Sequence, residues 1–215
     1  MKFLTVTALC LASAMALSGC KIVPNKAADE TGPAADASGD AARIAILLAE
    51  SYTQKLVPRI AEKAQTVAAL RAEIDADFAA ASAAHGASGA GAGAPVNFAL
   101  KDQGKVVAAK LDSRARTLDI DTDADGTADL AIQLGPVVRG SALRDVAPEI
   151  YDFTSFRDQI EFAKLGRALN DRATEGLTLP EGDPMGKTLR FTGVVPLKSA
   201  KEKWLVTPVA IEVLP

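Results

Sequence analysis

The amino-acid sequence predicts an α+β fold, and the spacing of its apolar residues carries most of that prediction. Over residues 43–85 apolar side chains recur every three or four positions, which is typical of helices that pack along one face. Over residues 95–215 they mostly alternate, as in half-buried strands, with one helical stretch in between. No βαβ unit repeats, so the strands should be mainly antiparallel. We therefore expect a single domain over residues 43–215, in which an N-terminal helical arm packs on an antiparallel sheet or small OB-like barrel crossed by one helix.

The N-terminus has the composition of a bacterial lipoprotein signal. Lys2 precedes an almost wholly apolar stretch, and Leu17-Ser18-Gly19-Cys20 closes it. The stretch is too short for a comfortable membrane span, and small Ser18 and Gly19 suit the lipoprotein signal peptidase. We predict a signal peptide over residues 1–19 and a diacylglycerol on Cys20, which anchors the chain to a membrane in the periplasm.

Two questions about this anchor stay open at the level of sequence. An ordinary secretory leader or an N-terminal membrane helix is the alternative to lipidation. Lys21 follows the cysteine, which in enteric-type sorting favours the outer membrane over the inner membrane.

Helices are predicted after a flexible tether over residues 20–42, which lacks apolar periodicity. From Ala41 onward, apolar residues lie four apart up to Leu56, and the pattern resumes from Ile60 to Phe78. Pro58 between them fits either a kink or the first turn of a second helix.

The strand-rich part is predicted to contain six short strands and a crossing helix. Four strands precede the helix, near residues 96–100, 106–108, 118–120 and 130–134, and two follow it, near 189–195 and 205–213. The helix should run from about Phe153 to Ala173, with Ser155 and Asp158 forming a capping box. Its wide apolar face should lie against the sheet.

Composition excludes several classes of function. The formal net charge is −3, which argues against a nucleic-acid-binding protein. The cysteines are Cys10 and Cys20, both in or at the end of the leader, so the mature chain has no thiol for redox or zinc chemistry. His85 is the single histidine, which leaves no histidine pair for a metal or a catalytic cluster.

One segment, Asp121 to Asp129, has the pattern of a calcium loop. Carboxylates at alternate positions converge around a hard cation when the chain curls, and glycine permits the sharp turn. The predicted ligands are Asp121, Asp123, Asp125, Thr127 and Asp129. The loop departs from an EF-hand because strands flank it and Ile132 stands where the bidentate Glu belongs.

Two other interpretations of these acids remain. The loop could be a solvated acidic hairpin turn, or its carboxylates could serve a glycoside hydrolase, although nothing marks an opposed carboxylate across a cleft. Without a cation, crowding should disorder the loop or raise its carboxyl pKa values.

A polar group just after the loop is a second candidate site. Arg139, Arg144 and Asp145 could bind an anion or a set of sugar hydroxyls, or could form an internal ion pair that fixes a turn against the crossing helix. Asn170 is expected near a helix end, and Trp204 is expected to be a packing residue rather than a sugar platform.

Longer runs of this region resemble a known family. They comprise Gly135-Pro136-Val137-Val138-Arg139-Gly140-Ser141-Ala142-Leu143-Arg144-Asp145 and Phe153-Thr154-Ser155-Phe156-Arg157-Asp158-Gln159-Ile160-Glu161-Phe162-Ala163. Together with the Cys20-Lys21-Ile22-Val23-Pro24 start, they resemble the predicted periplasmic lipoproteins of unknown function, whose genes commonly lie beside sugar ABC transporter genes. The long Ala/Gly-rich stretch at residues 80–94 departs from the family pattern.

The resemblance implies a transport-associated role and brings no catalytic residues. We therefore expect a non-enzymatic accessory lipoprotein of carbohydrate ABC transport, with a structural calcium. Its expected partners are the lipid bilayer and a sugar-binding protein or the transporter itself, and not nucleic acid. A structural envelope protein without a ligand and a carboxylate-dependent glycoside hydrolase are the alternatives.

Overall fold

The computed structural model describes residues 32–89, 93–177 and 182–215, and the chain from Ala34 to Pro215 forms one compact unit. The predicted signal peptide, Cys20 and most of the predicted tether lie outside the described residues.

One long helix follows a 3-10 turn (Ala37–Gly39) at the start of the fold. It consists of α1 (Asp40–Ser51), a π-helical turn (Tyr52–Leu56) and α2 (Val57–Lys63). Pro58 lies in the first turn of α2, one of its two predicted positions, and it lacks the N–H that a helix interior needs. The wider turn before it, in which the Val57 N–H bonds to the Tyr52 carbonyl, carries the helix to this proline. The helix starts at Asp40, so residues 40–42 belong to it and not to the tether.

Two shorter helices follow, and the turn before them is attached to the sheet. Helix α3 (Val67–Ala76) is capped by the Thr66 hydroxyl, and α4 (Phe78–His85) by the Asp77 carboxylate. Gln65, in the turn between α2 and α3, pairs with Leu100 of the sheet as an isolated bridge.

The strands close into a barrel. They are β1 (Gly86–Ser88), β2 (Val96–Lys110), β3 (Ala115–Asp121), β4 (Leu130–Pro136), β5 (Thr188–Leu197) and β6 (Trp204–Val213). The order around the barrel is β2-β3-β4-β6-β5, and pairing of β2 with β5 closes it, while β1 adds to one end of β2. Only the β4–β6 pair is parallel among the described strands. The predicted α+β class and OB-like barrel are confirmed.

The first two predicted strands are in fact one strand, β2. Its first part pairs with β5 and its last part pairs with β3, so the strand must bend from one neighbour to the other. Gly104 lies where the pairing partner changes from β5 to β3. A Cβ at this position would stand 2.4 Å from the Asp121 carbonyl oxygen. Glycine here permits the close approach that barrel closure needs, instead of ending the strand.

The crossing helix begins later than predicted. Residues Phe153–Ser155 form only a short 3-10 turn, and the helix, numbered α6 after the one-turn α5 (Ala142–Asp145), spans Gln159–Glu175. Asp158 is its cap, because one carboxylate oxygen accepts hydrogen bonds from the N–H groups of Ile160 and Glu161, each at 2.9 Å. Ser155 is therefore not the cap.

Two apolar clusters stabilise this arrangement. One fills the barrel and extends under α3 and α4, with Leu100, Ile120 and Phe191 at its centre. The other lies between the long helix, α6 and the outside of the barrel. Trp204 belongs to the first cluster and is 2% exposed, so its prediction as a packing residue is confirmed.

Candidate functional site

The acidic loop joins β3 to β4 as a hairpin on the barrel surface. Asp121 is the last residue of β3, and Asp129 directly precedes β4. The Asp129 N–H donates to the Ile120 carbonyl at 2.9 Å, which brings the two ends of the loop together.

The structure brings together three of the five predicted metal ligands. Asp121, Asp123 and Asp129 each offer a carboxylate oxygen, and these atoms lie within 4.8 Å of one another. Asp125 is exposed and outside this set, and its carboxylate accepts a hydrogen bond from the Thr127 N–H at 2.6 Å. An arrangement of hard oxygen ligands without nitrogen or sulfur suits calcium more than a transition metal.

Asp121 holds the loop in shape. Its two carboxylate oxygens accept hydrogen bonds from the N–H groups of Ala124, at 2.8 Å, and Gly126, at 2.9 Å. Gly126 has φ +88°, a left-handed conformation that favours glycine, and Ala124 has φ 66°. The predicted need for glycine at the turn is thus met at Gly126.

The same hydrogen bonds change the expected acidity. Burial raises the pKa of the Asp121 carboxyl, but the N–H groups of Gly126 and Ala124 stabilise the charged form and hold that pKa below its usual range. The prediction that crowding raises the carboxyl pKa values is therefore wrong for Asp121. Its carboxylate is ionised at neutral pH.

Asp129 connects the loop to helix α3. Its carboxylate accepts hydrogen bonds from the N–H of Thr122, at 2.8 Å, and from the Thr122 hydroxyl, at 2.5 Å. Its backbone carbonyl accepts one from Nη2 of Arg71 at 2.9 Å. Asp119 takes no part, since it faces the exposed Lys110 at 3.4 Å.

A groove of about 510 Å³ lies beside the loop, and we call it the Arg71 groove. Its charged lining consists of four basic and four acidic side chains from α3, the β2–β3–β4 region and the β5–β6 connection, namely Arg71, Lys110, Lys201, Lys203, Asp75, Asp119, Asp129 and Glu202. Trp204 completes the wall.

Two hydrogen-bond donors in this wall have no acceptor among the residues that the structure describes. The Arg71 guanidinium lies 4.4 Å from the centroid of the Trp204 ring, a cation–π contact. Nε of Arg71 and Nε1 of Trp204 are both buried and unpaired among the described residues. The groove is not visible in the sequence, because its residues are far apart along the chain and only Trp204 stands out.

The second predicted polar cluster is an internal ion pair for two of its three members. Arg144 Nε lies 2.7 Å from the Asp145 carboxylate, and Arg144 Nη1 donates to the Phe162 carbonyl at 3.0 Å. These contacts fix α5 against α6. Arg139 is exposed and joins neither residue; its backbone N–H donates to the Gln133 side chain instead, at 2.8 Å.

Asn170 does not lie at a helix end. It is buried within α6, and its side-chain amide donates to the Gly140 carbonyl at 2.9 Å. It therefore helps to hold the turn before α5 against the helix.

A charge network that sequence analysis missed fixes the start of the long helix. Asp40 is 1% exposed and is paired with Arg43 at 2.6 Å, Lys164 at 2.7 Å and Arg157 at 3.2 Å. Hydrogen bonding from Lys164 and the charge of Arg157 hold the pKa of Asp40 below its usual range. The Arg43 guanidinium likewise lowers the pKa of Glu161, to which it donates at 2.7 Å.

These features define the class of protein: an OB-fold barrel with an added helical arm. Over 81% of this chain and 98% of the other, the fold is similar to the crystal structure of an OB-fold protein, TM0957, from Thermotoga maritima MSB8, with a TM-score of 0.59 and 14% sequence identity. No curated protein matches the chain.

Residues 10–212 match the family described as predicted periplasmic lipoprotein, DUF2291, and the chain belongs to that family. Membership confirms the predicted periplasmic address and the lipoprotein class. In the part of the chain that the structure describes, no helix is long and apolar enough to cross a membrane.

Proposed function

We propose that this lipoprotein is a non-enzymatic accessory of a carbohydrate ABC transporter, anchored through a diacylglycerol on Cys20 and carrying a structural calcium. The observation that carries the proposal is the pairing of a calcium-type loop with a mixed-charge groove on one face of the barrel, connected through Asp129. The family supplies the periplasmic address. The association with sugar uptake is what the sequence resemblance at residues 135–145 and 153–163 implies.

The chemistry of the loop supports a structural cation over a catalytic centre. A glycosidase needs two carboxyl groups facing each other across the scissile bond, roughly 5–10 Å apart. Here Asp121, Asp123 and Asp129 lie on one hairpin within 4.8 Å of one another. Both carboxylate oxygens of Asp121 and one of Asp129 accept hydrogen bonds within the loop, so these groups are poorly placed to exchange protons with a substrate.

Histidine chemistry offers no alternative centre. His85 is the one histidine of the chain, and its Nε2 lies 2.8 Å from the Glu73 carboxylate at the surface of α3 and α4. This is an ordinary surface pair, away from the acidic loop in sequence.

Calcium fits the loop through both charge and geometry. Three carboxylates give a high negative charge density, and calcium accepts irregular shells of six to eight oxygens that include backbone carbonyls and water. Magnesium demands a more regular octahedron. The exposed side of the loop, at Asp123 and Asp125, leaves room for water in the shell.

The transport role is tested by deletion and by direct contact. Deleting the gene should impair growth on a carbohydrate without removing any hydrolytic activity, and wild type should restore growth. The Cys20→Ser variant should fail to restore it, because the unanchored protein loses its place at the membrane. Calorimetry should show weak binding between the lipoprotein and the purified solute-binding protein of that transporter, as is usual for transient contacts.

Other outcomes would contradict the proposal. Unchanged growth of the deletion strain on every sugar, together with no heat against the binding protein, would favour a structural envelope protein. Turnover of a chromogenic glycoside would favour the hydrolase.

A further inference from the structure

We propose that the Arg71 groove binds a neutral, polyhydroxylated small molecule, a mono- or disaccharide, through hydrogen bonds from Nε of Arg71 and Nε1 of Trp204, while the Trp204 ring stays packed in the barrel core. This inference rests on the proposed function, which places the protein where sugars are taken up, and it names the class of ligand. Its evidence is the groove itself.

The charge of the groove favours a neutral ligand. Its lining contains four basic and four acidic side chains, and the imbalance is only one charge when the Asp129 carboxylate is assigned to the acidic loop, so the groove has little net charge to select an ion of either sign. Asp119 and Lys110 compensate each other at 3.4 Å, and Glu202 accepts a hydrogen bond from the Lys198 N–H at 2.7 Å. A hydroxyl group both donates and accepts, so it can pair with carboxylates and with ammonium groups in the same site.

The unpaired donors indicate which chemical groups a ligand of this groove should present. Buried polar atoms in folded proteins almost always have a partner, and each exception needs an explanation. Nε of Arg71 and Nε1 of Trp204 are two such exceptions in one groove, and both are donors. Both atoms lie beneath the groove surface, so a ligand that presents acceptor oxygens, such as hydroxyl or ring oxygens, satisfies them once the Arg71 guanidinium turns away from the indole ring.

Size and position agree with this assignment. A volume of about 510 Å³ lies within the usual range for small-molecule sites. The groove adjoins the connection between β5 and β6, at residues 200–203. In OB folds the last inter-strand loop borders the face that takes oligosaccharides or oligonucleotides, and the formal charge of −3 disfavours the latter.

Trp204 provides a specific reporter, because it is the one tryptophan of the chain. The test uses the full lipidated protein in a zwitterionic detergent without a sugar headgroup, and follows tryptophan fluorescence during titration. The probes are D-glucose, D-galactose, D-ribose and maltose, with D-glucuronate and D-glucosamine as charged comparisons. We expect a saturable change with at least one of the four neutral sugars.

Arg71→Met is the decisive variant, and Arg190→Met is its matched control. Both replace an arginine by an apolar side chain of similar length, and Arg190 pairs with Glu212 on the exposed side of β5 and β6, outside the groove. Losing Arg71 should weaken sugar affinity about tenfold, as expected when a hydrogen-bonded charged group is removed. Arg190→Met should leave the affinity unchanged. The exposed rim variant Lys203→Met, read by calorimetry, should also weaken binding while the melting temperature stays near that of wild type.

Three results would overturn the inference: no saturable response to any neutral sugar, a response confined to a charged sugar, or equal affinities for wild type and both groove variants. The assay contains no transporter component. Sugar binding without a growth phenotype therefore leaves the groove assignment standing and removes the transport role, and a growth phenotype without sugar binding does the reverse.

Discussion

Calcium should raise the melting temperature of this protein, and the acidic loop allows a closely matched test. Asp123 and Asp125 are two residues apart, both exposed, and each accepts one hydrogen bond from the N–H two residues further on. Only Asp123 belongs to the set of carboxylates that lie within 4.8 Å. Asp123→Asn should therefore remove a calcium ligand, while Asp125→Asn makes the same chemical change beside the site.

The expected size follows from linkage. An exposed extracellular-type site has a dissociation constant of about 0.1 mM, at the tight end of its class. At about 1 mM calcium, a ligand that binds only the folded state then stabilises it by about 1.4 kcal/mol. For a protein of this length that is a rise of about 3–6 °C. If Asp123→Asn weakens binding about tenfold, the rise falls to about 1–2 °C.

Differential scanning fluorimetry of metal-stripped protein, with calcium and with chelator, makes the measurement. Asp125→Asn should keep most of the wild-type shift. Identical melting curves for wild type in calcium and chelator would refute the calcium site, and equal losses in the two variants would refute the assignment of ligands to Asp121, Asp123 and Asp129.

Three further predictions test the anchor, the barrel and the charge network. Mass spectrometry should find the wild-type protein cleaved before Cys20 and acylated on that residue, whereas Cys20→Ser should leave an unprocessed precursor. An intact leader with an unmodified Cys20 in the wild-type protein would contradict the predicted lipid anchor. Gly104→Ala should lower the free energy of unfolding by about 1–3 kcal/mol and the melting temperature by several degrees, because the added Cβ meets the Asp121 carbonyl at 2.4 Å. Gly176→Ala is the control, because its Cβ would have no neighbour nearer than 3.6 Å. An equal effect of the two substitutions would contradict the packing argument. The pKa values of Asp40 and Glu161 are lowered in the folded protein, so their contribution to folding stability is complete above their ordinary pKa values of 3.8 and 4.5 and is lost as pH falls through the folded values. Acid titration should therefore show stability falling below about pH 4.5, with a shallower fall in Asp40→Asn. Parallel stability curves for the variant and wild type would contradict the role of this network.

The periodicity of the sequence predicted the class of fold because both periods are local. Alternation around Ile120, Ile132 and Val206 reflects burial on one side of each strand, which needs no knowledge of the partner strand. The prediction of the elements is wrong where a tertiary contact determines how far a strand or helix extends. Two strands were predicted near residues 96–100 and 106–108, and Gly104 lies in the gap between them. Only closure of the barrel makes this glycine the bend of one continuous strand.

The start of α6 was mispredicted for a similar reason. Ser155 and Asp158 both have side chains that cap helices, and local preference does not choose between them. The Asp40 network favours the later start, since Glu161 accepts a hydrogen bond from the Arg157 N–H at 2.8 Å and the Arg157 side chain reaches Asp40. Arg157 and Asp40 are 117 residues apart, so no sequence pattern shows their contact.

The two candidate sites also differ in whether local sequence or tertiary packing forms them. The acidic loop was visible because all its ligands lie within nine consecutive residues, although which of them converge depends on the loop geometry. The Arg71 groove was not visible, because Arg71, Lys110, Asp129 and Trp204 come from separate parts of the chain. No motif marks a wall that forms only when α3 packs against the barrel.

Asp129 connects the two proposed sites by its own chemistry. Its carboxylate is one of the three that lie within 4.8 Å of one another, and its carbonyl accepts a hydrogen bond from the Arg71 guanidinium that lies over Trp204. A cation that fixes Asp129 therefore also fixes the carbonyl that positions Arg71 in the groove. Coupling between two binding sites is reciprocal, so a sugar that orders Arg71 must tighten calcium binding by the same factor by which calcium tightens sugar binding. The two proposals together therefore predict that the protein reaches its highest affinity for sugar only when calcium is bound to the loop.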